Sequence, residues 1–286
     1  MNIKKTFQVV QEIKDTILDR ALNSPALSTH FKAIDDVLGG FHPGELILVS
    51  GRKGVGTTSL TLNMASAITN EEYPALLFSL EHSASDAVSK LLTQAGITRI
   101  SGMNHLQDIL MKDLEKISKM KDIPLYIDDT PNQSFDEIEN TIRNSASIYG
   151  VKVAFIDYLQ LISHSGDSLS RPVLAFERFK ALAQELSITI VCLSRKEKWP
   201  LVNKSNYRAD LTDISKLGSG ITYELLDKYV DLALVLSRPD MYGLGKGDDK
   251  AELYIIHNKH GQRSIMMELQ YIPDRYSFTD IEEKTE

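Results

Sequence analysis

Apolar, β-prone runs recur along the chain with helical patterns between them, and this alternation constrains the fold more than any other feature of the sequence. The first five runs cover 45–51, 74–80, 124–128, 151–157 and 188–194. Segments whose apolar residues fall at helical spacing lie between them, at 57–70, 83–95, 105–119, 134–149 and 171–187. Strands that are apolar on both faces and alternate with helices are typical of a parallel sheet covered on both sides. The sequence therefore predicts an α/β fold with a mainly parallel central sheet.

The carboxyl-terminal part of the chain carries three further strand patterns. They cover 232–237, 252–258 and 264–272. Only a short turn containing Gly261 joins the last two, which predicts an antiparallel hairpin at the edge of the sheet. The acidic residues that follow are expected to form a frayed tail. We therefore divide the chain into a helix and connector at 1–27, a core at 28–275 and a tail at 276–286.

An amphipathic pattern precedes the first strand. Apolar side chains at helical spacing run through residues 6–22 and predict a helix. A polar stretch at 23–25 separates this helix from the core. Two interpretations remain open on spacing alone. The helix either packs on its own domain or forms an arm that docks on a neighbouring subunit.

Composition restricts the classes of protein to which the chain can belong. Its residues are 42% hydrophobic and 25% charged, proportions typical of a globular protein rather than a disordered one. The net charge of −7 argues against coating nucleic acid by bulk charge, but it leaves room for a local basic groove. The single Cys192 excludes a disulfide framework, and no apolar run is long enough to span a bilayer. We therefore expect a cytoplasmic protein with no membrane partner.

A glycine-rich segment follows the first strand and opens the next helix. It consists of Gly51, Arg52, Lys53, Gly54, Val55, Gly56, Thr57 and Thr58. This is the frame of the P-loop, G-x-x-x-x-G-K-[ST], which turns backbone N–H groups towards a phosphate at a helix amino terminus. Thr58 stands at the hydroxyl position that binds Mg²⁺, but Thr57 replaces the lysine that meets the β- and γ-phosphates. Phosphate binding with weakened chemistry is our main interpretation, and a glycine turn without a ligand is the alternative.

Two carboxylates stand at the carboxyl ends of apolar runs that come after the P-loop in the sequence. Asp157 ends the run at 151–157, which fits a Walker B acid that holds Mg²⁺. Glu81 follows the run at 74–80 and is a candidate to orient or deprotonate an attacking water. Parallel strands bring their carboxyl ends to one edge of the sheet, so we expect both acids to lie beside the P-loop. For Asp128 and Asp129 we favour a structural or capping role.

A basic loop with aromatic residues follows the strand at 188–194. Residues 195–208 contain Arg195, Lys196, Lys198, Trp199, Lys204 and Arg208. In an acidic protein, such a loop is a candidate contact for single-stranded DNA through phosphate pairing and base stacking. A solvated surface loop is the alternative. The place of the loop after a strand end favours nucleic acid.

Taken together, these motifs resemble those of a known family. GRKGVGTT, FSLE, YIDDT, IDYLQLI, KALAQEL and VCLSR occur in the order and spacing of the DnaB-type replicative DNA helicases, across residues 28–275. The resemblance implies a RecA-like motor domain, driven by ATP and Mg²⁺, that forms a homo-oligomeric ring, a hexamer in that family, on single-stranded DNA. It implies that Glu81 is the catalytic glutamate, Asp157 the Walker B acid and Thr58 the Mg²⁺-binding hydroxyl. The helix at 6–22 is similar to the linker helix that docks on the adjacent subunit in that family.

Three positions depart from the pattern of the family. Thr57 replaces the P-loop lysine, and Arg195 stands where the family has a glutamine that couples nucleotide state to DNA contacts. Lys259, in the segment HNKHG, falls at the position of an arginine finger that reaches the neighbour's ATP, and Arg263 is an alternative finger. A lysine does not reproduce the bidentate phosphate contact of an arginine. These departures predict slow hydrolysis on an intact fold.

The departures leave more than one function open. The leading interpretation is an ATP-binding DNA helicase module with impaired hydrolysis. The rival is a non-catalytic factor that binds nucleotide or DNA and assembles or regulates a helicase ring. A RecA-fold regulatory ATPase that remodels protein is a third interpretation. The lysine missing at position 57 is the feature that separates the first two.

Overall fold

The computed structural model describes most of the predicted core. The described residues are 26–70, 73–97, 122–164, 170–195, 217–244, 249–259, 261 and 263–281, with a few isolated positions elsewhere. The predicted helices at 6–22 and 105–119 lie almost entirely outside these ranges. Within the described residues, no helix combines the length and apolar character needed to cross a membrane.

Six helices and nine strands are described, and their bounds follow the sequence patterns closely. The helices are α1 (Lys32–Leu38), α2 (Thr57–Asn70), α3 (Ala84–Gln94), α4 (Phe135–Tyr149), α5 (Ser170–Leu186) and α6 (Tyr223–Tyr229). The strands are β1 (Leu46–Gly51), β2 (Ala75–Ser79), β3 (Leu125–Asp128), β4 (Val153–Asp157), β5 (Thr189–Arg195), β6 (Leu232–Ser237), β7 (Lys250–Asn258), β8 (Met266–Ile272) and β9 (Ser277–Thr279).

The strands form one sheet in the order β3-β2-β4-β5-β1-β6-β7-β8-β9. The first six strands of this order pair in parallel, and the last three pair antiparallel with their neighbours. The predicted α/β fold with a mainly parallel sheet is confirmed. So is the antiparallel pairing of β7 with β8, although the hairpin does not end the sheet, because β9 pairs with β8 beyond it.

Strand β9 lies within the segment 276–286 that we had set apart from the core as a tail, and this corrects the predicted boundary. The backbone N–H of Phe278 in β9 donates to Oδ1 of Asn63 in α2 at 2.9 Å. Asp280 accepts hydrogen bonds from the backbone N–H groups of Lys32 and Ala33 at the start of α1. The strand was missed because three residues are too few to show an alternating pattern. The ordered sheet therefore continues past residue 275.

Two apolar layers cover the sheet. Helices α1, α2 and α3 pack on one face, and α4, α5 and α6 pack on the other. Phe176 and Phe179 of α5 are fully buried in the second layer, and each such side chain stabilises the fold by about 1.5–3 kcal/mol. The ends of α4 are set by a capping box between Ser134 and Glu137 and by Gly150 in the left-handed conformation. This packing holds the carboxyl ends of the parallel strands side by side.

Candidate nucleotide site

The glycine-rich segment forms a tight loop between β1 and α2. Gly54 and Gly56 have φ angles of 85° and 108°, in the region that favours glycine. A Cβ on Gly51 would lie 2.6 Å from Cγ1 of the buried Val55, and one on Gly56 would lie 2.8 Å from the ring of Phe278. The loop thus has no room for larger residues at these positions. Its small residues leave a concave backbone at the start of α2, as a phosphate requires.

Thr58 and Asp157 meet directly beneath this loop. The Thr58 hydroxyl donates to Oδ2 of Asp157 at 2.7 Å, and Asp157 is only 5% exposed. Burial raises the pKa of the Asp157 carboxyl; the Thr58 hydrogen bond opposes this shift and the charge of Glu81 adds to it. A hydroxyl and a carboxylate are the hard oxygen donors that Mg²⁺ takes. A divalent cation would also offset the cost of burying this charge, so the two residues fit a magnesium ion.

Glu81 forms an ion pair with a residue that we had assigned to DNA binding. Nη1 of Arg195 lies 2.6 Å from Oε1 of Glu81, and the guanidinium also lies 5.1 Å from the centre of the Tyr158 ring. Partial burial works to lower the pKa of Arg195, but its hydrogen bonds to Glu81 and Tyr158 raise it on balance. His82 adds a weaker contact, with Nε2 3.7 Å from Oε2 of Glu81. In this structure Glu81 is therefore paired with a positive charge.

A single cleft of about 480 Å³ joins these groups. Its lining includes Gly51, Arg52, Lys53, Gly54, Gly56, Thr57, Thr58, Glu81, Asp157 and Arg195. Arg52 and Lys53 are the two cations of the loop. Arg52 donates to the backbone carbonyl of Met241 at 3.3 Å and lies over the Tyr242 ring, on the β6 side of the cleft. Lys53 is exposed. The structure thus brings together the loop and the two carboxylates that the sequence had singled out.

Lys259 lies away from this cleft. It follows β7, whose last residue Asn258 pairs with Leu232 at the start of β6, whereas the P-loop follows the end of β1. At about 3.3 Å per residue, the two positions are separated by roughly 15 Å along the strands. Lys259 is exposed there, and the alternative finger Arg263 pairs with Asp227 at 3.0 Å. Within one chain, neither cation contributes to the cleft.

Most of the predicted DNA-binding residues are not described. Lys196, Lys198, Trp199, Lys204 and Arg208 lie outside the described residues. Arg195 is described, and its side chain lies in the cleft against Glu81. Its assignment from the sequence rested on the charge and aromatic content of the loop and on its place after a strand end, none of which reveals the direction of a side chain.

Sequence reasoning also missed residues that support the site. Gln160 donates from Nε2 to the hydroxyl of Ser194 at 2.9 Å and accepts from the backbone N–H of Arg195 at 3.0 Å. This glutamine lies in the IDYLQL motif, and its place in that motif was the available signal.

The capping role favoured for two acids is borne out in part by their contacts. Asp129 accepts a hydrogen bond from the backbone N–H of Ala84 at the start of α3. Asp128 accepts one from the backbone N–H of Thr130, in the turn that follows β3.

The fold and the cleft together define a class of protein. A mainly parallel sheet whose carboxyl edge carries a P-loop, with an acid at the end of the next-but-one strand, is the architecture of RecA-like P-loop nucleoside triphosphatase domains. Two solved structures share the fold. "ATPase Domain of G40P" has a TM-score of 0.80 at 20% identity, over 98% of this chain and 100% of that one. "The Structure Of A DnaB-Like Replicative Helicase And Its Interactions With Primase" has a TM-score of 0.79 at 20% identity, over 98% and 68%.

Sequence comparison narrows the class to a family. Residues 26–280 match the family described as DnaB-like helicase C terminal domain, and the chain belongs to that family. It is 30% identical to the "Replicative DNA helicase DnaB" of Leifsonia xyli, over 75% of this chain and 47% of that protein. It is 27% identical to the protein of the same name in Geobacillus stearothermophilus, over 99% and 63%. The chain thus spans about half to two thirds of the length of these relatives.

Proposed function

We propose that this chain is an ATP-binding motor domain of a DnaB-like helicase, acting on single-stranded DNA in DNA replication. The observation that carries the proposal is the Thr58–Asp157 pair beneath the P-loop, in one cleft with Glu81. The pair offers Mg²⁺ donors where a phosphate held by the loop would also lie. The relatives named replicative DNA helicases support DNA as the substrate and replication as the pathway.

In this proposal, each group in the cleft has a separate task. The backbone N–H groups of residues 51–58 bind the phosphates, and Thr58 with Asp157 holds the magnesium ion. Bound Mg²⁺ would neutralise part of the phosphate charge. Glu81 orients a water molecule and accepts its proton, once its carboxylate is free of Arg195.

A neighbouring subunit completes the site in the proposed assembly. Lys259 and Arg263 lie at the opposite end of the strands from their own P-loop, and in this proposal one of them serves the cleft of another subunit. A homo-oligomeric ring, such as a hexamer, would bring that end to the next cleft. The predicted arm at 6–22 would dock between adjacent subunits. The loop at 195–208 would meet the DNA strand.

We further propose that hydrolysis is slow. Thr57 carries no charge at the position where a lysine would meet the terminal phosphates. Removal of one comparable electrostatic donor lowers kcat by about 10²–10³ in well-studied enzymes. The motor would then bind nucleotide far better than it turns nucleotide over.

Steady-state ATP turnover of the purified protein, with and without an oligo-dT strand, tests this function. We expect Mg²⁺-dependent turnover that is slow and rises with DNA. The variant Asp157→Asn serves as a blank, because it removes the carboxylate that holds the metal. Turnover that DNA does not change would favour a protein-remodelling ATPase, and complete failure to bind nucleotide would contradict the proposal.

The rival function is a non-catalytic subunit that assembles or regulates a helicase ring. The uncharged Thr57 favours it, because a subunit that only needs to bind nucleotide has no use for the lysine. Thermal melting separates the two functions when combined with turnover. A non-catalytic subunit would be stabilised by ATP with Mg²⁺ and would still show no turnover above the Asp157→Asn blank, with or without DNA.

A further inference from the structure

Arg195 occupies an unusual place at the carboxyl edge of the sheet. It is the last residue of β5 and pairs in register with Gly51, the first residue of the P-loop. Strand β4, which carries Asp157, lies between β5 and β2. The Arg195 side chain passes over Tyr158 and reaches Glu81 beyond β2. It therefore spans the space between the phosphate loop and the carboxylate expected to activate water.

The charges in the cleft are unbalanced for a triphosphate. The loop lacks a lysine at position 57, and Arg52 is turned to the β6 side by its contacts with Met241 and Tyr242. Arg195 is a cation in the cleft, 22% exposed, and paired with a carboxylate that is 30% exposed. A guanidinium binds a phosphate in the same forked geometry in which it binds a carboxylate. A phosphate entering the cleft would thus compete with Glu81 for this cation.

We infer that Arg195 replaces the missing lysine. Its guanidinium leaves Glu81 and binds the terminal phosphate of a nucleoside triphosphate, and it returns to Glu81 when that phosphate is lost. The inference rests on the proposed function, because it requires residues 51–58 to bind nucleotide. The exchange also makes the state of Glu81 depend on the bound nucleotide. Glu81 is free to accept a proton only while a terminal phosphate holds Arg195.

The backbone around Arg195 suits a movement of the side chain alone. Its N–H is held by Oε1 of Gln160 at 3.0 Å, and the preceding Ser194 is held by Nε2 of the same glutamine. The strand therefore stays in register while the guanidinium changes partner. A diphosphate has no γ-phosphate to offer, so it leaves the Glu81–Arg195 pair intact. The exchange would distinguish triphosphate from diphosphate.

Equilibrium binding of two fluorescent nucleotides tests the inference without turnover. The probes are ADP and a non-hydrolysable ATP analogue, each with Mg²⁺ and the full chain, and each titration gives a Kd. We expect Arg195→Gln to weaken the ATP analogue by roughly ten- to a hundredfold, the range for a hydrogen bond to a charged group. The Kd of ADP should change less than about twofold. Arg195→Lys should recover part of the lost affinity.

Two further variants separate a phosphate contact from a structural role. Glu81→Gln removes the competitor, so it should tighten the ATP analogue in the wild-type background and much less in the Arg195→Gln background. Thr57→Lys supplies the absent charge, so it should restore the analogue affinity of Arg195→Gln. A residue that merely held the fold together would show neither pattern.

Charge-matched variants define the control and the contrary results. Arg143→Gln breaks an ion pair with Glu185 between α4 and α5, away from the cleft, and should leave both Kd values unchanged. Equal loss of both nucleotides in Arg195→Gln would overturn the inference and leave the proposed function standing. So would loss of the analogue in Lys53→Gln but not in Arg195→Gln. A wild-type chain that binds neither nucleotide would overturn both.

Discussion

At position 57, a single threonine stands where the proposed chemistry needs a positive charge. Thr57→Lys would place an ammonium beside the terminal phosphate, where it interacts most strongly in the transition state. We expect the kcat for ATP to rise by about tenfold or more, with a small change in the Kd of ADP. Single-turnover measurements with Mg²⁺ would report the change. An unchanged or lower rate in a variant that melts normally would contradict the proposed cause of slow hydrolysis.

Asp157 carries a buried charge that costs stability, and the pH dependence of this cost has a definite sign. Its folded-state pKa lies above the usual 3.8 because of burial. The ionised form is therefore disfavoured in the fold. The cost is largest above the raised pKa and disappears as the pH falls below the unfolded value. Asp157→Asn should then raise Tm near pH 7.5 in EDTA by a few degrees, since about 1 kcal/mol corresponds to roughly 2–4 °C. Near pH 3.5 the difference should vanish.

Asp231 provides the matched control for this experiment. Its Oδ2 accepts from Nζ of Lys180 and from the backbone N–H of Leu46, each within 2.8 Å. Asp231→Asn should lower Tm at pH 7.5, because it strands a buried cation, a loss of about 3–5 kcal/mol in comparable pairs. If Tm rose in both variants, or fell in both, the buried charge of Asp157 at the metal site would not be the source of the lost stability.

Among the elements, β9 links the end of the sheet to the phosphate loop. Phe278 is 2% exposed and packs against both Gly56 and Tyr271. Phe278→Ala should lower the free energy of unfolding by about 3–5 kcal/mol. It should also weaken ADP binding severalfold, since the loop loses the ring that supports it. Urea unfolding and ADP titration measure the two effects.

Phe135, in the opposite apolar layer, separates the two effects. It is 4% exposed at the start of α4 and contacts Phe179 rather than the loop. Phe135→Ala should cost similar stability and leave the Kd of ADP unchanged in the folded protein. Equal weakening of ADP in both variants would show that general loosening, rather than loop support, governs binding.

The elements also show where sequence reasoning succeeds and where it stops. The helix expected at 57–70 is α2 (Thr57–Asn70), because long periodic segments bury one face wherever they pack. The three-residue β9 was missed, since pairing with β8 rather than its own pattern makes it a strand. Glu81 and Asp157 were found from their positions at strand ends. The pairing of Glu81 with Arg195 was not, because side-chain direction depends on neighbours that are distant in sequence.

For the whole molecule, a net charge of −7 makes any DNA contact a local one. If the loop at 195–208 meets DNA, replacing Lys196, Lys198 and Lys204 by alanine removes phosphate contacts. The slope of log affinity against log salt should then fall by up to about two units, at roughly 0.7 per contact on a single strand. Trp199→Ala should instead weaken binding by ~1–3 kcal/mol with little change in slope, since stacking is not ionic. Fluorescence anisotropy on oligo-dT at several salt concentrations measures both.

The chain contains its own control for this experiment. Lys250 pairs with Glu268 across β7 and β8 and is not part of the loop sequence, and Lys250→Ala should leave the slope unchanged. Unchanged affinity and slope in all of the loop variants would mean that the loop is solvated surface. The nucleotide site would be unaffected by that result, because none of the substituted loop residues belongs to the lining of the cleft.

The hydrogen bonds from Lys32 and Ala33 to Asp280 join the start of α1 to the end of the described core. A domain whose two ends meet can be joined end to end and reopened at a surface loop without breaking its core. Segments attached before α1 and after β9 would therefore leave the surface of the domain close to one another. Tension on either segment would act on the first turn of α1 and also on β9, the strand that packs against the phosphate loop.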